Sequence, residues 1–497
     1  MREKMKKNVV TGLAGILILS MMLLSGCSRS GEKEQTKLDA DHPVSLKVWH
    51  YYNGTQQATF DSLLEEFNAT VGKEKGIYME GYSYGAVADL EKAVENSMNE
   101  EIGAEDLPDL FSSYADTAYS AQKKGKLADL TKYFSKKELS EYVDSYIKEG
   151  YFDGSKALYL LPIAKSTEIM MLNRTDWDKF AKATDTALDE LSTLEGVAKV
   201  AEKYYQWTDD QTPKIPDDGK AFYGRDSMAN YFVICMRQMG KEIFQVKDGK
   251  VVFQTDKKLL RRLWENYYVP YVNGYFTSCG RFRSDDVKTG DILAYTGSTS
   301  STFYFPDKVE NDGKSHDIDF EVLDAPIMEG GENYKVQQGA GMAVTKSDAR
   351  KEYAACVFLK WFTKQEQNLR FVCDSGYMPV CKKANNIHVI DEVIQKENIE
   401  MNDKAYASLK NVMNGFEKKK FYTTKSFQNG YSARNILETH LSEWSKRDRK
   451  AVKKKQAAGV SQKKAVKAYI SDASFEKWYQ DFCDALAQTQ KNTDKIE

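Results

Sequence analysis

Five tyrosines, Tyr51, Tyr52, Tyr82, Tyr84 and Tyr114, stand at or just beyond the ends of short apolar runs, with Asn53 and Asp116 beside them. A tyrosine joins a large apolar face to a polar tip, and Asn53 and Asp116 add oxygens that accept hydrogen bonds from hydroxyl groups. Such a set suits the enclosure of a small polar molecule, and each ring suits packing between domains equally well. Catalysis asks for more. Carboxylates are plentiful, but no pair sits in a motif that demands closeness, and no cysteine stands in an activating sequence. His42, His50, His316, His388 and His440 are scattered, there is no CxxC, and no metal site or cofactor is expected. Asp209, Asp210, Asp217 and Asp218 lack EF-hand spacing and have prolines between them, which reads as a loop.

The elements that must position these residues alternate in type. Val44 to His50 reads as a strand, and Phe60, Leu63, Leu64 and Phe67 follow at helical spacing. Ile77 to Tyr82 reads as the next strand, Leu90, Val94 and Met98 as the next helix, and Asp109 to Ser113 as a third strand. Strand and helix at this pace predict a parallel or mixed sheet covered by helices, with ligands outside the carboxyl ends of the strands. Trp264, Tyr267, Tyr268 and Tyr271 crowd together at helical spacing and read as core or packing between domains.

At the amino terminus, Arg2, Lys4, Lys6 and Lys7 precede an apolar stretch from Val9 to Leu24, the order of an export signal. Leu24-Ser25-Gly26-Cys27 resembles the lipobox of bacterial lipoproteins, which implies lipidation of Cys27 after removal of residues 1–26. The uncharged stretch is also long enough for an uncleaved anchor. Residues 27–42 read as a polar tether. The 497 residues carry 71 basic and 73 acidic side chains, which removes the general electrostatic reason to bind nucleic acid. Cys235, Cys279, Cys356, Cys373, Cys381 and Cys483 remain beyond the lipobox, and their pairing is open.

Four segments in order then resemble the extracellular solute-binding proteins of family 1, the receptors of sugar-type ABC importers. They are Leu161 to Asn173, Asp291 to Thr299, Pro326 to Val344 with its Gln338-Gly339-Ala340-Gly341-Met342, and Glu352 to Pro379, which ends in a Gly-Tyr-x-Pro pattern. The resemblance implies an α/β, two-lobed type II periplasmic-binding fold whose chain crosses between lobes. Lobe one would hold residues 43–164 and 341–378, and lobe two residues 165–340 and 379–497. It implies a receptor and not an enzyme, monomeric, lipid-anchored on the outer face of the membrane and partnered by the permease subunits of a transporter.

Strand ends make Tyr52, Asn53, Tyr84, Tyr114 and Asp116 the expected ligand residues of lobe one, and the resemblance implies Ser166, Thr167, Ser298 and Thr299 from lobe two, with Gly341 and Tyr377 at the crossovers. Ser432 to Glu438 resembles the stretch of glycerol-3-phosphate-binding relatives whose arginine holds the phosphate, so Arg434 joins the set. The tyrosine-rich first lobe favours a carbohydrate, and Arg434 keeps a polyol phosphate as the alternative solute. Beyond Trp444 the resemblance ends, and residues 446–467 hold ten Lys or Arg against one Asp, read as a solvated helical insertion or a contact with anionic lipid.

Overall fold

The computed structural model describes residues 36–247, 249–311 and 313–491. The export signal and Cys27 lie outside them. The strands of its two larger sheets are β1 (Val44–His50), β2 (Ile77–Ser83), β3 (Leu110–Ser113), β4 (Leu161–Pro162), β5 (Glu168–Asn173), β6 (Tyr223–Arg225), β7 (Ala294–Ser298), β8 (Phe320–Asp324) and β9 (Gly341–Val344). The first sheet runs β2-β1-β3-β9-β4, with β2, β1 and β3 parallel and β9 antiparallel to both its neighbours. The second runs β8-β5-β7-β6. A strand from residues 341–344 thus completes a sheet begun at residue 44.

Local pattern explains the elements. In β1, Val44, Leu46 and Val48 are buried while Ser45 and Lys47 are exposed, the period of two that a half-covered strand requires. All six residues of β5 are buried, as in a strand covered on both faces. Helix Gly54–Phe67 buries Phe60, Leu63, Leu64 and Phe67, and helix Val87–Met98 buries Leu90, Val94 and Met98, the positions the spacing predicts. One apolar core lies against the first sheet, and a second gathers β5 to β7 with helices Met228–Gln238, Lys257–Asn273, Gly430–Ala457 and Asp472–Lys491. A third, smaller core joins Ile169 and Met171 of β5 to Leu369, Val372, Ile390 and Leu409.

Trp264, Tyr267, Tyr268 and Tyr271 belong to the second core, where Trp264 stacks on Tyr268 at 4.7 Å and the Tyr268 hydroxyl donates to Asp448 at 2.6 Å. The six cysteines beyond the lipobox are free thiols. Among the described residues, no helix is long and apolar enough to cross a membrane.

Three chain segments pass between the sheets, at Ile163–Thr167, Val336–Ala340 and Gly376–Pro379, and backbone hydrogen bonds lace them together. Ser166 and Gln338 exchange bonds of 2.9 and 3.1 Å; Lys165 donates its N–H to Met378 at 3.1 Å and accepts the Met378 N–H in return. At Gly339 the first and second segments touch. Its φ is +95°, and a Cβ there would stand 2.9 Å from the Ala164 carbonyl oxygen and 3.1 Å from the Lys165 Cα, so a side chain is excluded by conformation and by space. The Lys165 ammonium is buried beneath the crossing and donates to the Gly339 carbonyl at 2.8 Å and to Glu149 at 2.6 Å.

Candidate solute-binding cleft

A cavity of about 530 Å³ opens between the two sheets. Its first wall begins where β3 ends. Tyr114 precedes helix Ala115–Lys123, and Asp116 stands in that helix's first turn. Glu91, one turn into helix Val87–Met98, lies beside them, and Glu149 and Gln337 close the floor. The facing wall is built by Ser227, Ala229 and Asn230 at the start of helix Met228–Gln238 and by Tyr431, Arg434 and Glu438 on helix Gly430–Ala457. A second cavity of about 520 Å³ shares Glu149, Gln337, Thr423, Thr424 and Ser426 with the first and adds Tyr151, Phe152, Phe421 and Tyr422.

Hydrogen bonds fix the facing wall. Arg434 donates to Asn230 Oδ1 at 2.5 Å, and the Asn230 amide donates to Gln338 at 2.6 Å and to Glu168 at 3.2 Å. Glu168 also takes Arg225 Nη2 at 2.6 Å in an ion pair with both side chains almost fully buried. Glu438 accepts from the Ser227 hydroxyl at 3.1 Å and from the backbone N–H groups of Met228 and Ala229 at 3.3 and 2.9 Å. The amino end of that helix, a natural seat for an anion, is therefore occupied by the chain's own carboxylate.

Burial shapes the acids of the first wall. It lifts Asp116 from 3.8 to about 6, against the opposing pull of Arg434 and a hydrogen bond from Ser426. It lifts Glu91 from 4.5 to about 7, where the Thr117 hydroxyl and Arg434 oppose and Asp116 adds to the rise. Tyr114 is pushed up to about 12, again chiefly by burial. A carboxyl whose pKa is raised on folding binds more protons in the native state than in the unfolded chain, so its contribution to stability falls as pH rises. The contribution of Glu91 to the stability of the ligand-free protein should accordingly fall as pH rises from 4.5 towards 7, so Glu91→Gln should gain stability relative to the parent over that range. Urea melts at about pH 5 and about pH 8 would check this.

Of the residues expected at the site, Tyr114, Asp116 and Arg434 line the cavity. The others stand elsewhere. Tyr52 is buried among His50, Phe60 and Phe371, and the hydroxyls of Tyr51 and Tyr377 meet at 3.2 Å inside the first core. Tyr84 packs on Trp49, and Asn53 spends its amide on the Gly85 carbonyl. Ser166 lies in the crossover ribbon, where Thr167 accepts from the Thr299 N–H at 2.9 Å. Ser298 caps the short 3-10 turn that follows β7. A Cβ on Gly341 would stand 2.7 Å from Leu160, which marks it as a packing glycine. Glu91, Glu149, Asn230, Gln337, Tyr431 and Glu438 were not singled out by sequence. Two of them had a signal: Gln337 lies in the crossover segment Pro326 to Val344, and Glu438 ends the stretch from Ser432 that resembles a phosphate-binding one.

Two α/β lobes joined by three crossing segments, with a cavity between them, define the type II periplasmic-binding fold. Residues 62–401 match the family described as bacterial extracellular solute-binding protein, and the chain belongs to it. No curated protein matches the sequence significantly.

Solved structures are similar in fold at low identity. A cyclic alpha-maltosyl-1,6-maltose binding protein from Arthrobacter globiformis superposes with a TM-score of 0.63 at 16% identity, covering 90% of this chain and 100% of that one. UgpB from Mycobacterium tuberculosis, in complex with glycerophosphocholine, gives 0.62 at 14% identity over 90% and 99%. An ABC substrate-binding protein from Listeria monocytogenes, in complex with cycloalternan, gives 0.62 at 14% over 90% and 99%.

Proposed function

We propose that this chain is the substrate-binding component of an ABC importer, a receptor without chemistry of its own that captures a carbohydrate in the cleft and delivers it to the permease. Lobe one comprises residues 43–164 and 341–378, lobe two residues 165–340 and 379–497, and the lobes turn about the crossover ribbon to close on the solute. Family membership supports the receptor role, and neighbours solved with carbohydrate ligands support the solute class.

One observation carries the choice of carbohydrate over a polyol phosphate. Arg434 is tied to Asn230, Glu438 holds the adjacent helix start, and Glu91 and Asp116 stand on the opposite wall. A phosphate would meet carboxylates where it needs donors. Calorimetry with linear and cyclic gluco-oligosaccharides, glycerol-3-phosphate and glycerophosphocholine tests the reading. Heat is expected from an oligosaccharide, with a smaller radius of gyration by X-ray scattering when it is bound. Arg434→Ala is expected to weaken that binding by about 1–3 kcal/mol, as for loss of a buried hydrogen-bonding partner. Heat from the phosphate compounds alone would overturn the carbohydrate assignment.

The lipobox supports anchoring through Cys27 at the outer face of the membrane, where two acyl chains suffice. Intact mass of detergent-extracted protein should show a chain beginning at Cys27 with a diacylglyceryl adduct, and Cys27→Ser should release the protein. Retention of residues 1–26 would mean an uncleaved anchor instead.

A further inference from the structure

The first cavity has an imbalance of charge and of hydrogen-bonding capacity that a neutral sugar leaves uncorrected. Glu91 and Asp116 reach it from two helices of the first wall, and among the described residues neither forms an ion pair. One guanidinium, Arg434, lines the same cavity, and the two carboxyls share its charge. Arg434 donates to Asn230, and Lys165 is held by Glu149 and the Gly339 carbonyl. Glu438 is spent on its helix cap. Burial raises both carboxyls even though Arg434 opposes the rise at each.

Acceptors are also in excess. Gln337 is 2% exposed and lines both cavities, but its amide N–H groups are spent on Glu149 at 2.7 Å and on the Ser145 carbonyl at 3.2 Å. A matching solute supplies donors and positive charge. The rings of Tyr114 and Tyr431 on the same cavity suit a cation as well as a sugar face.

Resting on the carbohydrate reading above, we propose that the solute is an amino sugar, an oligosaccharide bearing a protonated amine that pairs with Glu91 and Asp116. Closure of the cleft would make unpaired carboxylates costlier by expelling water, and an ammonium, with one charge and three donors, offsets that cost in place. An anionic solute would be repelled by the same groups.

The test is calorimetry on the full chain with paired probes: glucose oligosaccharides of several linkages, each beside its counterpart in which glucosamine replaces glucose, and the N-acetylated form of each. The aminated member of the bound pair is expected to bind about tenfold or more tightly than the neutral one, as for a charge-assisted contact. Titration in buffers of different ionisation heat should show protons released from the wall as the amine binds, because the ammonium favours the charged carboxylates. In a Glu91→Gln, Asp116→Asn double variant the ratio of affinities should fall towards one. Should that variant fail to fold, the wild-type comparison decides alone. Equal or tighter binding of the neutral member overturns the amino-sugar assignment while leaving the carbohydrate reading intact. No heat from any pair, with heat from glycerophosphocholine, overturns both.

Discussion

Replacing Glu168 with alanine is expected to lower the unfolding free energy by about 3–5 kcal/mol, because it strands a buried guanidinium. Glu168 opens β5 immediately after the first crossover, and its carboxylate holds Arg225 Nη2 at 2.6 Å with both side chains nearly inaccessible to water. Among the described residues Arg225 forms no ion pair with another acid; it also donates to the Ser227 carbonyl and lies over the face of Tyr231. The loss should extend to binding, since Glu168 also steadies Asn230, and Asn230 positions Arg434. Denaturant unfolding measures the first effect and calorimetry the second. Replacing both partners, Glu168→Leu with Arg225→Met, should cost less than the single change, since no charge is then left unpaired. A single variant that loses under ~1 kcal/mol would mean that water reaches the pair.

Trp478→Ala is expected to be as damaging, about 3–5 kcal/mol, for a different reason. The indole is fully buried on helix Asp472–Lys491, stacked on Phe482 at 5.2 Å and lying over Phe232 at 6.5 Å. Phe232 belongs to the helix whose first turn carries Ala229 and Asn230 to the cavity. The void left by the indole would therefore loosen a wall of the candidate cleft as well as the core. Lys477→Ala, its exposed neighbour, should stay within about 0.5 kcal/mol. An unchanged unfolding midpoint for Trp478→Ala would show that the last helix is not part of the cooperative unit.

That last helix marks one limit of what could be read in advance. The strand at Val44–His50, the helices after it and the alternation that implies an α/β fold are local patterns, and local spacing records them faithfully. Phe475, Trp478, Phe482 and Leu486 also fall at helical spacing, but they lie beyond the stretch that resembles a known family, next to a run of lysines that draws attention to charge. The run fills the far half of helix Gly430–Ala457 and continues beyond it, and the other face of that helix buries Leu437, Leu441, Trp444, Asp448 and Val452 at intervals of three and four.

The site divides along the same line. Tyr114 and Asp116 were legible because they follow a strand end, and Arg434 because it sits in a stretch resembling a phosphate-binding one. Glu91 and Asn230 were not, because each is one polar residue on a helix, and only the packing of distant helices brings them to one cavity. Tyr52 and Tyr377 have the chemistry of ligand residues, yet the chain spends their rings on Phe371 and on the first core. Side-chain type states what a residue is able to do; burial decides what remains available.

The laced crossovers bear on how affinity can be set. Since the first segment is bonded to both of the others, a turn of one sheet against the other cannot be taken up by any segment alone, and the three must change their torsions in concert. In the closing motion proposed above, the difference in free energy between open and closed forms would be written in Gly339, Lys165 and Glu149 at least as much as in groups that touch the solute. A receptor whose closed form is sparsely populated binds more weakly by that fraction, whatever its contacts. Substitutions beneath the ribbon would act like a volume control, raising or lowering affinity for every solute by the same factor and leaving the order of preference untouched.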